Sequence, residues 1–480
     1  MAVVNSKHLI EAKREIAIPF ELRLQLVDGD TVSMTIVEIF RLLPGKRIVA
    51  RAKYKGGDVL AKIFLGKTAA RYSEKDKSGI NLIAAADVRS PELLFEAQFL
   101  DGDGVVLGFQ FLYDSVSLEA KWNTAHEDAE RVDVLTRAMI IIARLHNQGV
   151  VQTDIHLDNF LMSESRIYTI DGGAVVRKSD PPLATSLSLE NLSWFFAQLF
   201  PKYDELVPIV LPAYEAIRLW KPDPDRIVRL QEQISHSRDS RKKSFLEKTY
   251  RDCTRFICRS SFFQFLVCER ECYDEELKEL LENIDNYISK GKILKQGNTA
   301  TVAQVKLSGR EFVVKRYNIK DFWHGVRRAV SKTRASKSWT NAFHMEFLGI
   351  PSLTPVALME RRIGPLRRTA YLITEFVEGP DALTCLSNRN HFNGEVEALA
   401  TILVGLSESK ISHGDLKATN FLMAQEGPII IDLDAMREHK NEKQFERAFN
   451  RDINRFMRNW ENDPNVFARF QKLLPETYDS

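Results

Sequence analysis

Two short segments of this chain carry an aspartate, an asparagine and a second aspartate at matched spacing. The first runs Asp154-Ile-His-Leu-Asp-Asn159-Phe-Leu-Met and reaches Asp171 through an apolar stretch. The second runs Asp415-Leu-Lys-Ala-Thr-Asn420-Phe-Leu-Met and reaches Asp432 in the same way. Aspartate to asparagine is five residues in each copy, and asparagine to the second aspartate is twelve. A single Asp-x4-Asn is an ordinary cap or turn. Two copies with one spacing and one Asn-Phe-Leu-Met string are much harder to obtain by chance.

A lysine precedes each copy at the end of a short strand. Lys62 closes Val59-Leu60-Ala61-Lys62, and Lys315 closes Phe312-Val313-Val314-Lys315. A glycine turn lies before each lysine, at Gly45 and at Gly297. Lysine to loop aspartate is 92 residues in the first copy and 100 in the second. That leaves room for a helix, the rest of a small sheet, a hinge and a long helix.

These residue types suit transfer of a γ-phosphoryl group. The reaction needs a cation on the nucleotide phosphates, bound Mg²⁺, an oriented hydroxyl and exclusion of water. Lys62 and Lys315 would grip the α- and β-phosphates of ATP. Asp171 and Asp432 would hold Mg²⁺, with Asn159 and Asn420 supplying a neutral oxygen, and such hard oxygen donors suit that ion. Asp154 and Asp415 would orient the acceptor hydroxyl. Gly45 and Gly297 would let backbone amides approach phosphate.

The elements that must position these groups can be read coarsely. Alternating apolar residues over 31–64, 293–317 and 369–377 predict strands. Val134–Gln148 and Gly394–Ser409 have helical spacing and precede the two loops. Tyr250–Ile288 reads as helix, and Ser235–Lys243 as an exposed polar loop. The expected organisation is one domain over 1–245, a helical connector over 246–290 and a second domain over 291–480.

Composition sets the bounds. The 480 residues are 44% hydrophobic and 28% charged, an ordinary globular balance. Lys+Arg 67 against Asp+Glu 65 leaves +2, so no global charge pulls the chain toward nucleic acid. The first residues lack the apolar core and cleavage site of a signal peptide. Apolar runs such as MIIIARL and FFQFLV fall short of the roughly 18–20 residues that span a bilayer. The expected location is cytoplasmic, with any membrane contact peripheral. Of five cysteines, Cys253, Cys258, Cys268 and Cys272 cluster without zinc-site spacing, so reduced thiols are expected.

His413-Gly-Asp-Leu-Lys-Ala-Thr-Asn420 resembles the catalytic loop of the protein-kinase-like superfamily. Leu294–Val302, Val314–Asn318, Ser338–Ala342 and Gly349–Pro351 are similar to the lipopolysaccharide core kinases, which include heptose and Kdo kinases. The resemblance covers 290–435 well and 35–200 more loosely. It implies two tandem α+β bilobal kinase-like domains, with ATP and Mg²⁺ as cofactors. The implied reaction phosphorylates a heptose or Kdo hydroxyl of the lipid A–core acceptor, at the inner face of a Gram-negative inner membrane. Other core-assembly enzymes are candidate partners.

Each copy departs from the pattern. Gln152 stands where the first loop would have histidine, and His156 resembles small-molecule kinases. Lys417 in the second loop suits a cation that steadies the transferred phosphoryl group. Ser338 stands where the helix glutamate that braces Lys315 is expected, with Glu346 a shifted substitute. Glu74 is the candidate partner for Lys62. A pseudokinase scaffold that regulates core assembly, or a small-molecule kinase, are the competing readings. A protein kinase is disfavoured, because no Ala-Pro-Glu segment follows either second aspartate and only 48 residues follow Asp432. Lys315–Lys337 carries eight basic residues with Phe322 and Trp323, and Arg361-Arg362 with Arg367-Arg368 add more, which suits an anionic membrane or phosphorylated sugar.

Overall fold

The computed structural model of the chain describes residues 2–100, 102–297, 299–307, 309–318, 332–387 and 394–474. The chain divides into two compact units, Met1–Arg238 and Asp239–Ser480. Each mixes sheet and helix, with the main sheet first and most helices after it. Among the described residues, no helix is long and apolar enough to cross a membrane.

In the first unit the sheet comprises β1 (Ala2–Val3), β2 (Phe20–Leu26), β3 (Thr31–Leu43), β4 (Arg47–Tyr54), β5 (Gly57–Leu65), β6 (Leu93–Phe99) and β7 (Gly104–Gln110). Their order is β1-β2-β3-β4-β5-β7-β6, and β2 also pairs with β6, which closes the sheet on itself. Alternate residues such as Leu22, Leu24, Ile36, Ile48, Ala50, Ala61 and Ile63 fill its interior. The helix Ala69–Ala85 connects β5 to β6. It buries Ala69, Ser73, Asp76, Gly79 and Ile83, a stripe at helical spacing.

Helices then take over. Asp128–Asn147, Thr185–Phe196 and Val207–Arg218 pack a core of Leu135, Met139, Ile142, Leu192, Phe195, Val210 and Tyr214. Between the first two lie β9 (Val150–Gln152), the Asp154–Asn159 loop, β10 (Phe160–Ser163), β11 (Arg166–Thr169) and β12 (Val175–Arg177). The edge strand β8 (Val116–Ser117) pairs with β10.

The second unit opens with β13 (Phe256–Ser260) and β14 (Gln264–Glu269). The sheet continues with β15 (Lys292–Gln296), β16 (Ala300–Leu307), β17 (Arg310–Tyr317), β18 (Pro355–Ile363) and β19 (Leu366–Glu375), in the order β13-β14-β18-β19-β17-β16-β15. This sheet is fully antiparallel across its neighbours. The helix Arg334–Leu348 packs on it through Trp339 and Phe343. Then come the helix Glu395–Glu408, β20 (Ile411–Ser412), the Asp415–Asn420 loop, β21 (Phe421–Ala424), β22 (Gly427–Ile430) and β23 (Arg437–Glu438). The helices Glu442–Met457 and Pro464–Leu473 close the unit around Phe445, Phe449, Phe456, Trp460 and Phe470.

Two expected elements are corrected. Tyr250–Ile288 is not one helix: its first part is the β13–β14 hairpin, and helices cover only Glu275–Glu282 and Ile284–Lys290. Phe256 and Val267 are buried on one face of the hairpin and Ile257, Leu266 and Cys268 on the other, with β14 pairing to β18. Sheet extension, invisible in the local charge pattern, decides the segment. The segment expected as a connector therefore supplies two strands to the second sheet. Ser235–Lys243 lies inside the helix Pro224–Lys248 rather than in a loop. There Ser237 and Arg238 are buried, and Arg238 donates to both oxygens of Asp204 at 2.6 and 2.8 Å.

Candidate active site

In the second unit Lys315 projects from β17 and its Nζ donates to Asp432 Oδ1 at 2.5 Å. Asp434 Oδ2 lies 3.8 Å from the same ammonium, and Arg334 pairs with Asp434 at 2.7 Å. Burial pulls the Lys315 pKa down, but Tyr317, Asp432 and Asp434 outweigh it and hold it above the ordinary lysine value. Burial likewise pushes the Asp432 carboxyl up, and Lys315 together with His413 and Lys295 brings it below the usual range. The ion pair therefore stays charged on both sides.

Asp432 adopts a left-handed backbone, φ 62° and ψ 52°. Few residues other than glycine tolerate this region, and aspartate is among them. The left-handed step turns the chain sharply after β22 and into a short 3₁₀ turn, Leu433–Ala435. Asn341, on the helix Arg334–Leu348, donates to Leu433 O at 2.7 Å and fixes that turn.

The loop before it is held from inside. Asn420 Nδ2 donates to the Asp415 carbonyl at 2.8 Å, which leaves the amide oxygen free to face a cation. His413 is buried; its Nε2 donates to Ile431 O at 3.1 Å and its Nδ1 accepts from the Asp415 N–H at 3.3 Å. Those two bonds fix the orientation of the ring. Asp452, buried on the helix Glu442–Met457, accepts from the backbone N–H of His413 at 2.6 Å and of Gly414 at 2.9 Å. Lys417 Nζ donates to Asp415 Oδ2 at 2.9 Å, and Arg455 binds Asp415 Oδ1.

The first unit repeats much of this local geometry. Asp171 has φ 62° and ψ 59° and precedes the 3₁₀ turn Gly172–Ala174. Asn159 Nδ2 donates to the Asp154 carbonyl at 2.6 Å. Ile170 N–H bonds Asn159 O at 2.9 Å, as Ile431 N–H bonds Asn420 O at 2.9 Å. Phe160 pairs with Thr169 as Phe421 pairs with Ile430.

The lysines differ. Lys62 does not pair with Glu74, which is exposed and bridges Lys77 at 2.7 Å. Its partner is Asp76, at 2.8 and 3.1 Å, and both are buried. Asp76 Oδ1 also accepts from Gly173 N–H at 2.7 Å, so one carboxylate links the strand lysine to the turn after Asp171. A Cβ on Gly79 would lie 1.8 Å from Gly172 O, so only glycine lets helix and turn meet this closely. Arg47 Nη1 lies 3.8 Å from Asp171 Oδ1.

In the second unit the serine that aligns with Asp76 is Ser338. Both stand three residues before the residue that contacts the 3₁₀ turn, Gly79 in one case and Asn341 in the other. Ser338 is buried and hydrogen-bonds Tyr317 at 3.0 Å. Glu346 does not reach Lys315; it is bound by Arg255 at 2.6 and 2.8 Å.

The glycines sit in hairpin turns. Gly45 has φ +65° between β3 and β4, and Gly297 N–H bonds Ala300 O at 3.1 Å between β15 and β16. Asp154 is exposed and His156 half-buried, and Gln152 is buried behind them. Of the basic segment, residues 319–331 lie outside the described residues, including Lys320, Phe322, Trp323, Arg327 and Arg328. The described part is partly committed: Arg316 pairs with Asp285 at 3.4 Å, and Lys332 lies over the Tyr250 ring.

Asp76, Asp434, Asp452, Arg334, Asn341 and Arg455 contact the candidate site residues or the turns that carry them, and the motifs alone do not reveal them. The signal for two of them is periodicity. Asp76 is the acid in register with Ala69, Ser73, Gly79 and Ile83, and Asp452 the acid on the stripe Phe445, Phe449, Ile453 and Phe456. An acid on a buried stripe must be paired, so it announces a partner.

Residues 288–476 match the model of the lipopolysaccharide kinase (Kdo/WaaP) family. A kinase of this family is a phosphotransferase that uses ATP, typically with a divalent metal, and the family suggests a sugar kinase acting on lipopolysaccharide core. Among solved structures, the crystal structure of a point mutant of the Mycobacterium tuberculosis PknI kinase domain is matched at 15% identity and a TM-score of 0.26, over 42% of this chain and 95% of that one. No curated protein matches the chain.

Proposed function

We propose that the second unit is an ATP- and Mg²⁺-dependent kinase that phosphorylates a heptose or Kdo hydroxyl of the lipopolysaccharide core. The first unit, with the same loop geometry, is read as a second kinase-like domain in tandem. The observation that carries the reading is the 2.5 Å contact between Lys315 and Asp432, made beside a loop whose asparagine is tied to Asp415. One amine and one carboxylate thus meet at the place where a nucleotide's phosphates and metal would sit, within the segment that matches the kinase family.

The donor set fits a hard divalent cation. Asp432 offers carboxylate oxygens, and Asn420 offers an amide oxygen whose N–H₂ is already committed to the Asp415 carbonyl. When bound, the metal would neutralise phosphate charge during transfer. Lys315 would exchange part of its contact with Asp432 for nucleotide phosphate. Asp415 would receive the acceptor hydroxyl and orient it for in-line attack. Lys417 and Arg455, on the two oxygens of Asp415, hold that carboxylate in place and offer two half-exposed cations to an anionic acceptor. Asp452 keeps the loop's backbone in register with them.

The experiment is phosphate transfer from ATP to purified lipid A–core by the full chain. Asp415→Ala is expected to abolish transfer and preserve the fold, and Asp154→Ala to reduce it far less. A non-catalytic scaffold is the second reading, favoured by Ser338 standing where a carboxylate would brace Lys315. Nucleotide binding without turnover on any core acceptor would support it. A small-molecule kinase, which His156 suggests, would turn over soluble acceptors in place of lipid A–core.

A further inference from the structure

Two hairpin tips at one end of the second sheet present apolar side chains to solvent. The β13–β14 turn carries Phe262 and Phe263, 59% and 70% exposed. The β18–β19 turn carries Ile363 and Leu366, 41% and 42% exposed, as a cross-strand pair. The tips are joined: Arg362 N–H donates to Phe263 O at 2.7 Å, and Gly364 N–H donates to Phe262 O at 2.8 Å. Gly364 has φ +58°, and a Cβ there would lie 3.1 Å from the Phe262 ring. Phe262 and Phe263 stack edge to face with centroids 5.1 Å apart.

A fold gains nothing in water by holding two phenylalanines and two aliphatic residues on one bonded projection. The flanks say what the projection meets. Arg259, Arg361, Arg362, Arg367 and Arg368 lie on three of the four strands beside the tips, β13, β18 and β19. Buried Glu360 pairs with Arg362 and Arg367, and Asp285 pairs with Arg361 at 2.9 Å, so five arginines stand against two acids. An apolar tip collared by excess arginine matches a surface that is apolar within and anionic at its face.

We propose that these joined tips are a membrane-docking wedge: Phe262, Phe263, Ile363 and Leu366 enter the acyl boundary of an anionic bilayer while the arginines meet its headgroups. The proposal does not depend on catalysis, and it uses residues apart from the 315–337 segment. It places the second unit on the membrane through the free end of its sheet.

The test is co-sedimentation of the full chain with phosphatidylglycerol–phosphatidylethanolamine vesicles, against phosphatidylcholine vesicles. The unaltered chain should partition onto the anionic vesicles. The double variant Phe262→Ser with Phe263→Ser should lose about tenfold or more of that binding, the scale expected for withdrawing two partly inserted phenylalanines. Arg259→Gln with Arg368→Gln should lose roughly twenty-five-fold on anionic vesicles and little on zwitterionic ones, at about a fivefold loss per surface charge. All four side chains are exposed, so an unchanged melting temperature verifies the fold of each variant. Equal binding by the phenylalanine variant, or no binding by the unaltered chain, overturns the proposal. A dimer in sedimentation velocity that the phenylalanine variant dissolves, without vesicle binding, overturns it in favour of a second copy of the chain.

Discussion

Lys315 Nζ lies 2.5 Å from Asp432 Oδ1, whereas Lys62, the matching lysine of the first unit, is held by Asp76 from a helix. The second unit places its strand amine directly on the carboxylate proposed to face the metal. The first unit interposes a carboxylate that also binds Gly173 N–H. Ser338 in place of an acid explains the difference: among the described residues, no carboxylate of the helix Arg334–Leu348 pairs with Lys315, and Ser338 bonds Tyr317 instead.

Removing the amine should therefore be severe for transfer and mild for the fold. Lys315→Met is expected to lower phosphate transfer by about a hundredfold or more, as for loss of a preorganised charge at a reacting group. Steady-state rates at saturating ATP measure it, with circular dichroism as the fold control.

The first unit should depend on its buried pair for stability. Asp76→Ala strands a buried ammonium and an amide N–H, and should cost about 3–5 kcal/mol. Asp76→Asn keeps an acceptor for Gly173 and should cost less. Urea unfolding followed by a probe in the first unit distinguishes the two.

Glycine positions separate close packing from phosphate approach. Gly79→Ala would place a methyl 1.8 Å from Gly172 O and should destabilise by about 1–3 kcal/mol, since helix and turn must part. Gly297→Ala meets nothing nearer than 3.5 Å and should leave the melting temperature unchanged. A rise in the ATP KM of Gly297→Ala alone would mark that turn as a phosphate contact.

Acid should weaken the first unit through His146. Burial holds its pKa down at about 3 against an ordinary 6.5. The neutral ring bonds Tyr214 at 2.8 Å and Asn191 at 3.0 Å. The unfolded chain binds a proton first as pH falls, so stability drops from about pH 6.5 toward pH 3 and levels below that. The Lys315–Asp432 pair behaves differently. The depressed aspartate gives up its contribution only in acid below the ordinary carboxylate range, and the raised lysine only in alkali above the ordinary lysine range. Denaturation midpoints across pH 4–7, with His146→Gln as control, should show a slope that the variant lacks.

The loop anchor is the remaining case. Asp452→Ala frees the His413 and Gly414 N–H groups and should lower transfer and stability together. Asp452→Asn retains one acceptor oxygen and should recover part of both, read by rates and by thermal melting.

The loop and hairpin that carry the candidate groups were legible because they are local. Asp415, Asn420 and Asp432 are fixed by one loop and one hairpin, so their spacing survives as a motif. Partners that come from distant elements left weaker traces. Asp76 lies two residues from Glu74, the acid that the family pattern suggested, and helical phase decides between them: Asp76 faces inward with Ser73 and Gly79, and Glu74 faces solvent. The β13–β14 hairpin was hidden because its strands gain their pairing from β18, some ninety residues on. Ser235–Lys243 reads as loop until Asp204 appears beside Arg238.

The central claim is tested most directly by label transfer from γ-labelled ATP to purified lipid A–core, using the full chain and its Asp415→Asn, Asp432→Asn and Asp154→Asn variants. The account predicts label on the core sugar with the unaltered chain, none with Asp415→Asn or Asp432→Asn, and substantial label with Asp154→Asn. Undiminished label with Asp415→Asn and Asp432→Asn would contradict it.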